Sequence, residues 1–531
     1  MRGFSAVRVG AVALLVVVAA GAVVLAAGNA WWWFLAGPLL VPALVGVYDL
    51  LQTKHSVLRN YPVLGHARFL LEAIRPELQQ YFIERNFDGR PYDRSVRSIV
   101  YQRAKGTDAE EPFGTERDVY ADGYEFLVPS MAPVKQVETP PRVRIGGPDC
   151  TKPYDMALLN VSAMSFGSLS ANAILALNKG AALGGFAHDT GEGGLSEYHL
   201  RGGGDLIWEI GTGYFGCRTS DGDFDAAEFA EKAQHDAVKC VSLKLSQGAK
   251  PGIGGVLPGS KVNAEIARVR DVPIGQTVIS PPYHRVFSTP RELVHFVARM
   301  RELADGKPTG FKLCVGSRRQ VLALCKAMAD EEVTPDFIVV DGSEGGTGAA
   351  PLEFADHLGT PLTEGLITVH NALVGTGLRD RIRLGASGKV ATGADLVKRL
   401  VQGADYTNAA RAMMFAVGCI QSQRCHTNKC PVGVATQDPR RGRALDVGDK
   451  SQRVQRYQHS TVAGALQIMA AMGVSDPADL APHQLRRRLD PHVVRSYAEL
   501  YDWLEPGQLL AEPPEEWAVD WKAADPDRFT V

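Results

Sequence analysis

The sequence predicts an α/β chain: a (β/α)8 TIM barrel behind an N-terminal transmembrane helical hairpin, with helical appendages. Three observations carry this reading. Short apolar, β-branched runs alternate with helical stretches between about residues 155 and 415, which is the βαβ rhythm of a parallel sheet covered by helices. Eight such runs in about 260 residues match the size of a barrel. The chain opens with two charge-free apolar runs separated by little more than Asn29.

The elements follow in order. "VGAVALLVVVAAGAVVLAAG" (9–28) and "AWWWFLAGPLLVPALVGVY" (30–48) are each long enough to cross a hydrocarbon core of about 30 Å at 1.5 Å per residue. Arg2 and Arg8 precede the pair, and Lys54, His55 and Arg59 follow it. By the positive-inside rule both flanks are cytoplasmic, so residues 1–50 form a hairpin with Trp31, Trp32 and Trp33 at the far interface. A secretory signal peptide is the alternative for the first run; its length and the immediate second run argue against it. Residues 51–130 read as a juxtamembrane arm with helical patches ("GHARFLLEAIRPELQQYFIER") and a basic segment, "RPYDRSVRSIVYQRAK". That segment either rests on anionic lipid or is a solvated face.

Residues 131–440 hold the barrel. Its strands are read at "ALLNVSAM", "GGFAHDTG", "KCVSLKLS", "TVISPP", "GFKLCVG", "DFIVVDG", "RIRLGAS" and "ADYTNAA". A doubly wound sheet is the rival, and the eighth strand is taken to close the ring. Residues 441–531 are polar and helical, a packing appendage. Polar, Gly-rich segments follow the strands, as in "HDTGEGG" and "DGSEGGTGA". This is where a barrel carries its chemistry.

A formal net charge of −2 leaves no basic stripe for nucleic acid. Cys150, Cys217, Cys240, Cys314 and Cys325 are scattered singly and read as small buried hydrophobes. In "GGVLPGSK" the order Gly259-Ser260-Lys261 is not that of a P-loop, and no GxGxxG opens a helix after a strand. A barrel phosphate site after strands seven and eight does fit. Ser387, Gly388 and Lys389 in "ASGKVATGADL" and Asn408 and Arg411 in "DYTNAARAM" are its candidates, and FMN its ligand. Met164, Ser165 and Asp341, at other strand ends, are assigned to the same cofactor. Lys312, at the end of strand five, either offsets negative charge on reduced flavin or forms a structural ion pair.

"CIQSQRCHTNKCPVGVATQ" (419–437) puts Cys419, Cys425 and Cys430 within twelve positions, with a proline after the third. Pairing leaves one thiol over, and zinc wants four ligands. His426 is adjacent to Cys425, and neighbouring side chains diverge. Three thiolates suit a three-iron cluster, though Cys217 or another distant cysteine is an available fourth ligand. Flavin beside iron–sulfur is an electron-transfer pair.

"MSFGSLS", "DTGEGG", "QGAKPG", "DGSEGGTGA" and "CHTNKCPVGVATQDP" resemble, in order, the signatures of the central flavin domain of glutamate synthase. The whole chain resembles the shorter stand-alone proteins related to that enzyme. The resemblance implies FMN, a [3Fe–4S] cluster on Cys419, Cys425 and Cys430, and reductive amination of 2-oxoglutarate through 2-iminoglutarate. It implies substrate binding by Gln247, Lys250 and Arg270, with Glu192 and Lys250 catalytic. Fixed cations suit a dicarboxylate, and Glu192 is placed either as a proton carrier or as a loop-holding ion pair.

Three departures stand out. The chain opens Met1-Arg2-Gly3, without a glutaminase cysteine, so ammonia is expected from a separate source. Electrons are expected from a ferredoxin-like protein or an NAD(P)H-dependent reductase. Ile253 and Val256 stand where the family's loop has an acid and an amide. "YTNAARAMM" replaces a Gly-rich phosphate turn. The alternatives are a flavin/iron–sulfur oxidoreductase for another small 2-oxo acid or imine, and a non-catalytic membrane-tethered scaffold. The retained charges Glu192, Lys250, Arg270 and Lys312 count against the last, since buried charge is costly to keep unused.

Overall fold

The computed structural model describes residues 2–107, 110 and 112–530, and the chain divides between Arg94 and Ser95 into two compact units. In the first, helices Arg2–Gly28 and Trp33–Leu51 pack against each other. Ala22, Ala26 and Ala36 are buried at their contact, the small residues that let apolar helices approach closely. Asn29 accepts from the Trp31 amide at 3.1 Å and so caps the connecting turn. Val7–Gly28 and Ala30–Leu51 are both long and apolar enough to span a bilayer. At the charged ends, buried Asp49 accepts from the Val63 amide at 2.8 Å and lies 3.0 Å from His66 Nε2. Arg8 donates to Asn60 Oδ1 at 2.6 Å and to the Arg59 carbonyl at 3.1 Å. Helix Gly65–Leu78 follows.

The second unit is a closed eight-stranded parallel barrel. Its strands are β1 (Leu159–Val161), β2 (His188–Asp189), β3 (Leu206–Ile210), β4 (Val238–Lys244), β5 (Thr309–Leu313), β6 (Phe337–Asp341), β7 (Arg383–Ser387) and β8 (Tyr406–Ala409). β8 pairs with β1 through Thr407–Leu159 to Ala409–Val161 and closes the ring. The expected fold class is observed, but one strand assignment is corrected. "TVISPP" is not a barrel strand: Val278–Ile279 pairs antiparallel with Val256–Leu257 in a hairpin between β4 and β5. The third strand is "LIWEI", which sequence reading passed over. Only the four-residue helix Glu197–Leu200 lies between β2 and β3, so no amphipathic helix announces it.

Alternation along the strands sorts the side chains into two sets. Trp208, Ile210, Val241, Leu243, Phe311, Ile338, Val340, Leu384 and Ala386 face outward into the core shared with the surrounding helices. Ile207, Cys240, Phe337, Val339 and Tyr406 fill the barrel's interior, where Ile145 and Met156 of the antiparallel pair Arg142–Ile145 and Tyr154–Ala157 join them. Helix Val447–Ala471 packs between Ala171–Gly184 and Gly393–Val401. It thus takes the eighth position of the helical ring, although its sequence falls in the segment read as an appendage.

The tail beyond it lies across the helices that follow β4, β5 and β6. Arg318 pairs with Asp520 and stacks on Trp517, 4.6 Å from guanidinium carbon to ring centre. Lys326 lies 4.6 Å over Trp521, and Arg291 binds Asp527 at 2.8 Å.

Gly310 shows how tightly the interior is filled, because a Cβ there would lie 2.1 Å from the Phe337 carbonyl oxygen. Gly310→Ala is expected to cost about 3 kcal/mol, the upper end for overpacking against immovable backbone. Gly316→Ala, which meets open space, is expected to stay within about 0.5 kcal/mol of wild type. Thermal unfolding of the purified protein compares the two.

Candidate active site

The inward positions at the C-terminal ends of the strands are all polar. Asp189, Glu209, Lys244, Lys312, Asp341, Ser387 and Asn408 are buried there, on β2 to β8. Lys244 of β4 and Lys312 of β5 are register partners, so two ammonium groups share one rung. Each has its own carboxylate. Glu209 on β3 pairs with Lys312, and Glu192, from the loop after β2, pairs with Lys244 at 2.8 Å. Lys312 is therefore ion-paired within the sheet: burial works against its charge, but Glu209, Asp189 and Asp341 raise its pKa. Asp189 is pushed up by burial and by the Glu209 carboxylate, with Lys312 only partly offsetting them. Asp341 Oδ2 accepts from the Gly248 amide at 2.6 Å, which ties the loop after β4 to β6.

Glu192 sits among cations. Burial disfavours its charge, yet Lys244, Lys250 and Arg270 together hold its pKa at about 2. Its carboxylate occupies space that side chains at Gly211 and Gly255 would fill, with Cβ atoms 2.4 Å and 2.5 Å from its oxygens. Lys250 is buried and its pKa is lowered, by desolvation first and by Lys244, with Glu192 opposing. Arg270 ends the helix Ala264–Arg270 and is also buried. Its Nη2 donates to the Phe166 carbonyl at 3.0 Å and to Ser165 Oγ at 3.2 Å, while Nε has no partner among the described residues. Burial lowers its pKa to about 10 against the pull of Glu192. Gln247 accepts from Lys244 Nζ at 2.8 Å and donates to the Gly346 carbonyl at 3.4 Å. The structure thus gathers Glu192, Gln247, Lys250 and Arg270 around Lys244.

The other half of the rim holds the remaining candidates. Ser387 Oγ lies 3.3 Å from Ser162 Oγ, joining β7 to β1. Buried Asn408 leaves its Oδ1 without a partner among the described residues. Gly388 and Lys389 turn the chain with φ of 153° and 50°. The amides of Ala391 and Thr392 are taken by Asp395 in the capping box that opens helix Gly393–Val401, so an anion would meet the turn upstream of that helix. Arg411 donates to the Glu344 carbonyl at 2.6 Å. Met164 is buried, and Ser165 in the same loop touches Arg270.

Cys419, Cys425 and Cys430 are free thiols that feel one another: burial raises Cys419 to about 12 and Cys425 above its usual value, with the neighbouring thiols adding to both. Among the described residues no three His, Cys, Asp or Glu side chains, these three cysteines included, are gathered around a single ion site. Cys217 is no fourth ligand. It packs with Phe229 and Val241 in the outer core, and Glu228, not the loop cysteines, is its main charged neighbour. Buried Lys261 stands beside Cys425 and Cys430, its pKa lowered to about 8 by burial and raised in turn by those thiols. It donates to the Ser168 carbonyl at 3.1 Å and the Ala435 carbonyl at 3.5 Å. This ammonium joins the loop after β1 to the cysteine loop.

A buried, ionised pocket on the C-terminal rim of a parallel barrel defines the class, a (β/α)8-barrel enzyme. Residues 144–475 match the family described as the conserved region in glutamate synthase. The glutamate synthase large subunit-like protein YerD of Bacillus subtilis is 38% identical over 501 residues, covering 87% of this chain and 95% of that one. The archaeal NADPH glutamate synthase of Methanocaldococcus jannaschii is 34% identical, over 62% of this chain and 61% of its own length. The NADPH glutamate synthase large chain of Bacillus subtilis is also 34% identical, but the match spans only 20% of it. Among solved structures, a mutant flavocytochrome b2 with pyruvate bound aligns at a TM-score of 0.43 and 14% identity, over 86% of this chain and 95% of that one. The chain belongs to the glutamate synthase family, and with it to the oxidoreductases acting on CH–NH2 donors.

Sequence reading missed Lys244, Glu209, Asp189 and Lys261. For the first two a signal exists: a charged residue on the inward register near the end of an otherwise apolar strand ("VSLK", "LIWEI"). Asp189 gives a test of the rung. Its pKa is raised, so its penalty to folding is absent below the ordinary carboxylate range and grows as pH climbs from there toward the folded value. Asp189→Asn, which keeps an oxygen for the Gly191 amide (2.9 Å), is expected to raise the melting temperature more at pH 8 than at pH 5. A lower melting temperature at pH 8 would show an ionised Asp189 supporting Lys312.

Proposed function

We propose that this protein is a membrane-anchored FMN and iron–sulfur oxidoreductase that converts 2-oxoglutarate, through 2-iminoglutarate, to L-glutamate with ammonia and electrons from outside. The observation that carries this is the surplus of positive charge around Glu192. One carboxylate faces Lys244, Lys250 and Arg270, and a buried cation surplus favours an anionic ligand. A dicarboxylate supplies two negative charges.

In this reading Arg270 and Lys250 bind substrate carboxylates, and Gln247 orients the ligand. Lys244, Lys250 and Arg270 hold Glu192 as a carboxylate. A substrate carboxylate that draws on Lys250 and Arg270 adds negative charge beside Glu192 and raises its pKa toward the range where it can carry a proton. Glu192 then moves protons as ammonia adds to the 2-oxo carbon and the resulting carbinolamine loses water to become an imine. Lys244, shared between Glu192 and Gln247, fixes the orientation of both.

The residues on the far half of the rim fit a flavin, on the evidence of the unpartnered Asn408 Oδ1 and the positive-φ turn at Gly388 and Lys389. Ser387, Gly388, Lys389, Asn408 and Arg411, with Met164, Ser165, Lys312 and Asp341, would hold it. Bound FMN would supply the two-electron reduction of the imine. Cys419, Cys425 and Cys430 fit a cluster by chemistry, three thiols on one short loop with Lys261 to offset thiolate charge, and would hold a [3Fe–4S] centre that delivers single electrons. A ferredoxin-like protein or NAD(P)H-dependent reductase would feed it. The two apolar helices, with small residues at their contact and tryptophans at the turn, support a hairpin that leaves the barrel on the cytoplasmic side. A second reading, another small 2-oxo acid or imine, is favoured by the apolar loop: Val256 is exposed beside Ile279.

Reoxidation of the photoreduced protein by 2-oxoglutarate plus ammonium is the direct test. Arg270→Ala is expected to slow it by about 30- to 1,000-fold, from roughly 2–4 kcal/mol for an unpaired buried charge, and to keep its flavin. A reduced wild type indifferent to every 2-oxo acid would end the amination reading; faster reoxidation by another 2-oxo acid would favour the second.

For the cluster, Cys419→Ser, Cys425→Ser and Cys430→Ser are each expected to lose iron and acid-labile sulfide, with Cys150→Ser unchanged. Iron retained in the triple variant, or zinc in its place, would refute the assignment.

A further inference from the structure

Along helix Gly65–Leu78 every residue from His66 to Leu78 is exposed, Phe69 included, although its ring meets that of His55 at 5.6 Å. Such a helix is ordinarily polar all round. This one is not. Leu70, Leu71, Ile74, Leu78, Tyr81 and Phe82 recur at spacings of three and four residues through the helix and the π-helical turn Gln79–Ile83 that extends it, which places them on one face. All six are exposed, Leu70 to 63% and Phe82 to 82%. The opposite face carries Glu72, Gln79 and Gln80, with Arg68 and Arg75 along one border. Arg68 is held to Glu72 at 3.0 Å. An apolar stripe this long needs a cover.

The place where the helix starts says what covers it. Its first turn and the short helix Ser56–Asn60 before it are bound to the charged ends of the two apolar helices. Asp49, at the end of the second, accepts from the Val63 amide and contacts His66, and Arg8, near the start of the first, donates to Arg59 and Asn60. In a hairpin that spans a bilayer, those ends lie at the headgroup level, and so does the start of this helix. A helix with an apolar stripe, a charged back and arginines at the border suits that boundary, where the stripe enters the acyl region and the guanidinium groups reach the phosphates.

We propose that residues 65–83 form an interfacial helix whose Leu70, Ile74, Leu78 and Phe82 face lies in the cytoplasmic leaflet. The occupant is the lipid surface itself. The proposal rests on the transmembrane hairpin proposed above.

The test uses the full chain in vesicles of phosphatidylcholine and phosphatidylglycerol, with the photo-crosslinking residue benzoylphenylalanine placed singly at Phe82, Glu72 or Val17. The expected result is lipid adducts by mass spectrometry at Phe82 and Val17, with at least tenfold less at Glu72. Lipid adducts at Val17 without any at Phe82 would overturn the interfacial helix and leave the hairpin standing. A covalent dimer through Phe82 would assign the stripe to a second copy instead and would also overturn it. No lipid adduct at either position would overturn hairpin and interfacial helix together.

Discussion

Two lysines on one rung set the terms for the rest of the catalytic unit. Lys244 and Lys312 are partners on adjacent strands and share a barrel interior too narrow to keep them apart. Neither ammonium is tolerable there without a carboxylate. Glu209 comes from the neighbouring strand and answers Lys312, but Lys244 needs a group from outside the sheet. That requirement draws the loop after β2 across the barrel mouth so that Glu192 reaches it. Gly211 and Gly255 leave the space that lets it do so. The rung is thus solved asymmetrically. One pair is intrinsic to the sheet and rigid, and the other depends on a loop and stands next to Lys250 and Arg270.

The same loop logic links the two halves of the site. Arg270 holds the segment after β1 through Ser165 and Phe166. Lys261, nine residues earlier in the chain, holds the same segment at Ser168 and the cysteine loop at Ala435. Gln437 adds bonds to the carbonyls of Gly167 (3.1 Å) and Leu169 (2.7 Å). The charged pocket and the three thiols are therefore fixed to one short stretch of backbone. A displacement in either is felt by the other.

Much of this was legible in the sequence because barrel strands and their polar ends follow a simple alternation. Seven of the eight strand positions, and Lys312 at the end of one of them, could be read from it, whereas Glu192, Lys250 and Arg270 came from the resemblance to glutamate synthase. β3 could not, because its neighbours in sequence are a four-residue helix and Gly-rich turns instead of an amphipathic helix. The compensating error, Val278–Ile279, has real strand character, but it pairs with Val256–Leu257 and not with the barrel. Lys312 was placed at the right strand end, but its partner sat on the missed strand, so its pairing stayed undecided. Asp189 and Lys261 were invisible for another reason: their roles come from contacts between residues far apart in sequence.

The C-terminal tail has a consequence for how the molecule is made. The cover over the helices before and after β5 comes from Trp517, Asp520, Trp521 and Asp527, which the ribosome adds well after the whole of the barrel. Chains fold from the N-terminus as they emerge, so the strands can close while those outer helices still lack their cover. A product that stopped short of the tail would be left with its core partly open, a state that quality-control proteases are well placed to recognise.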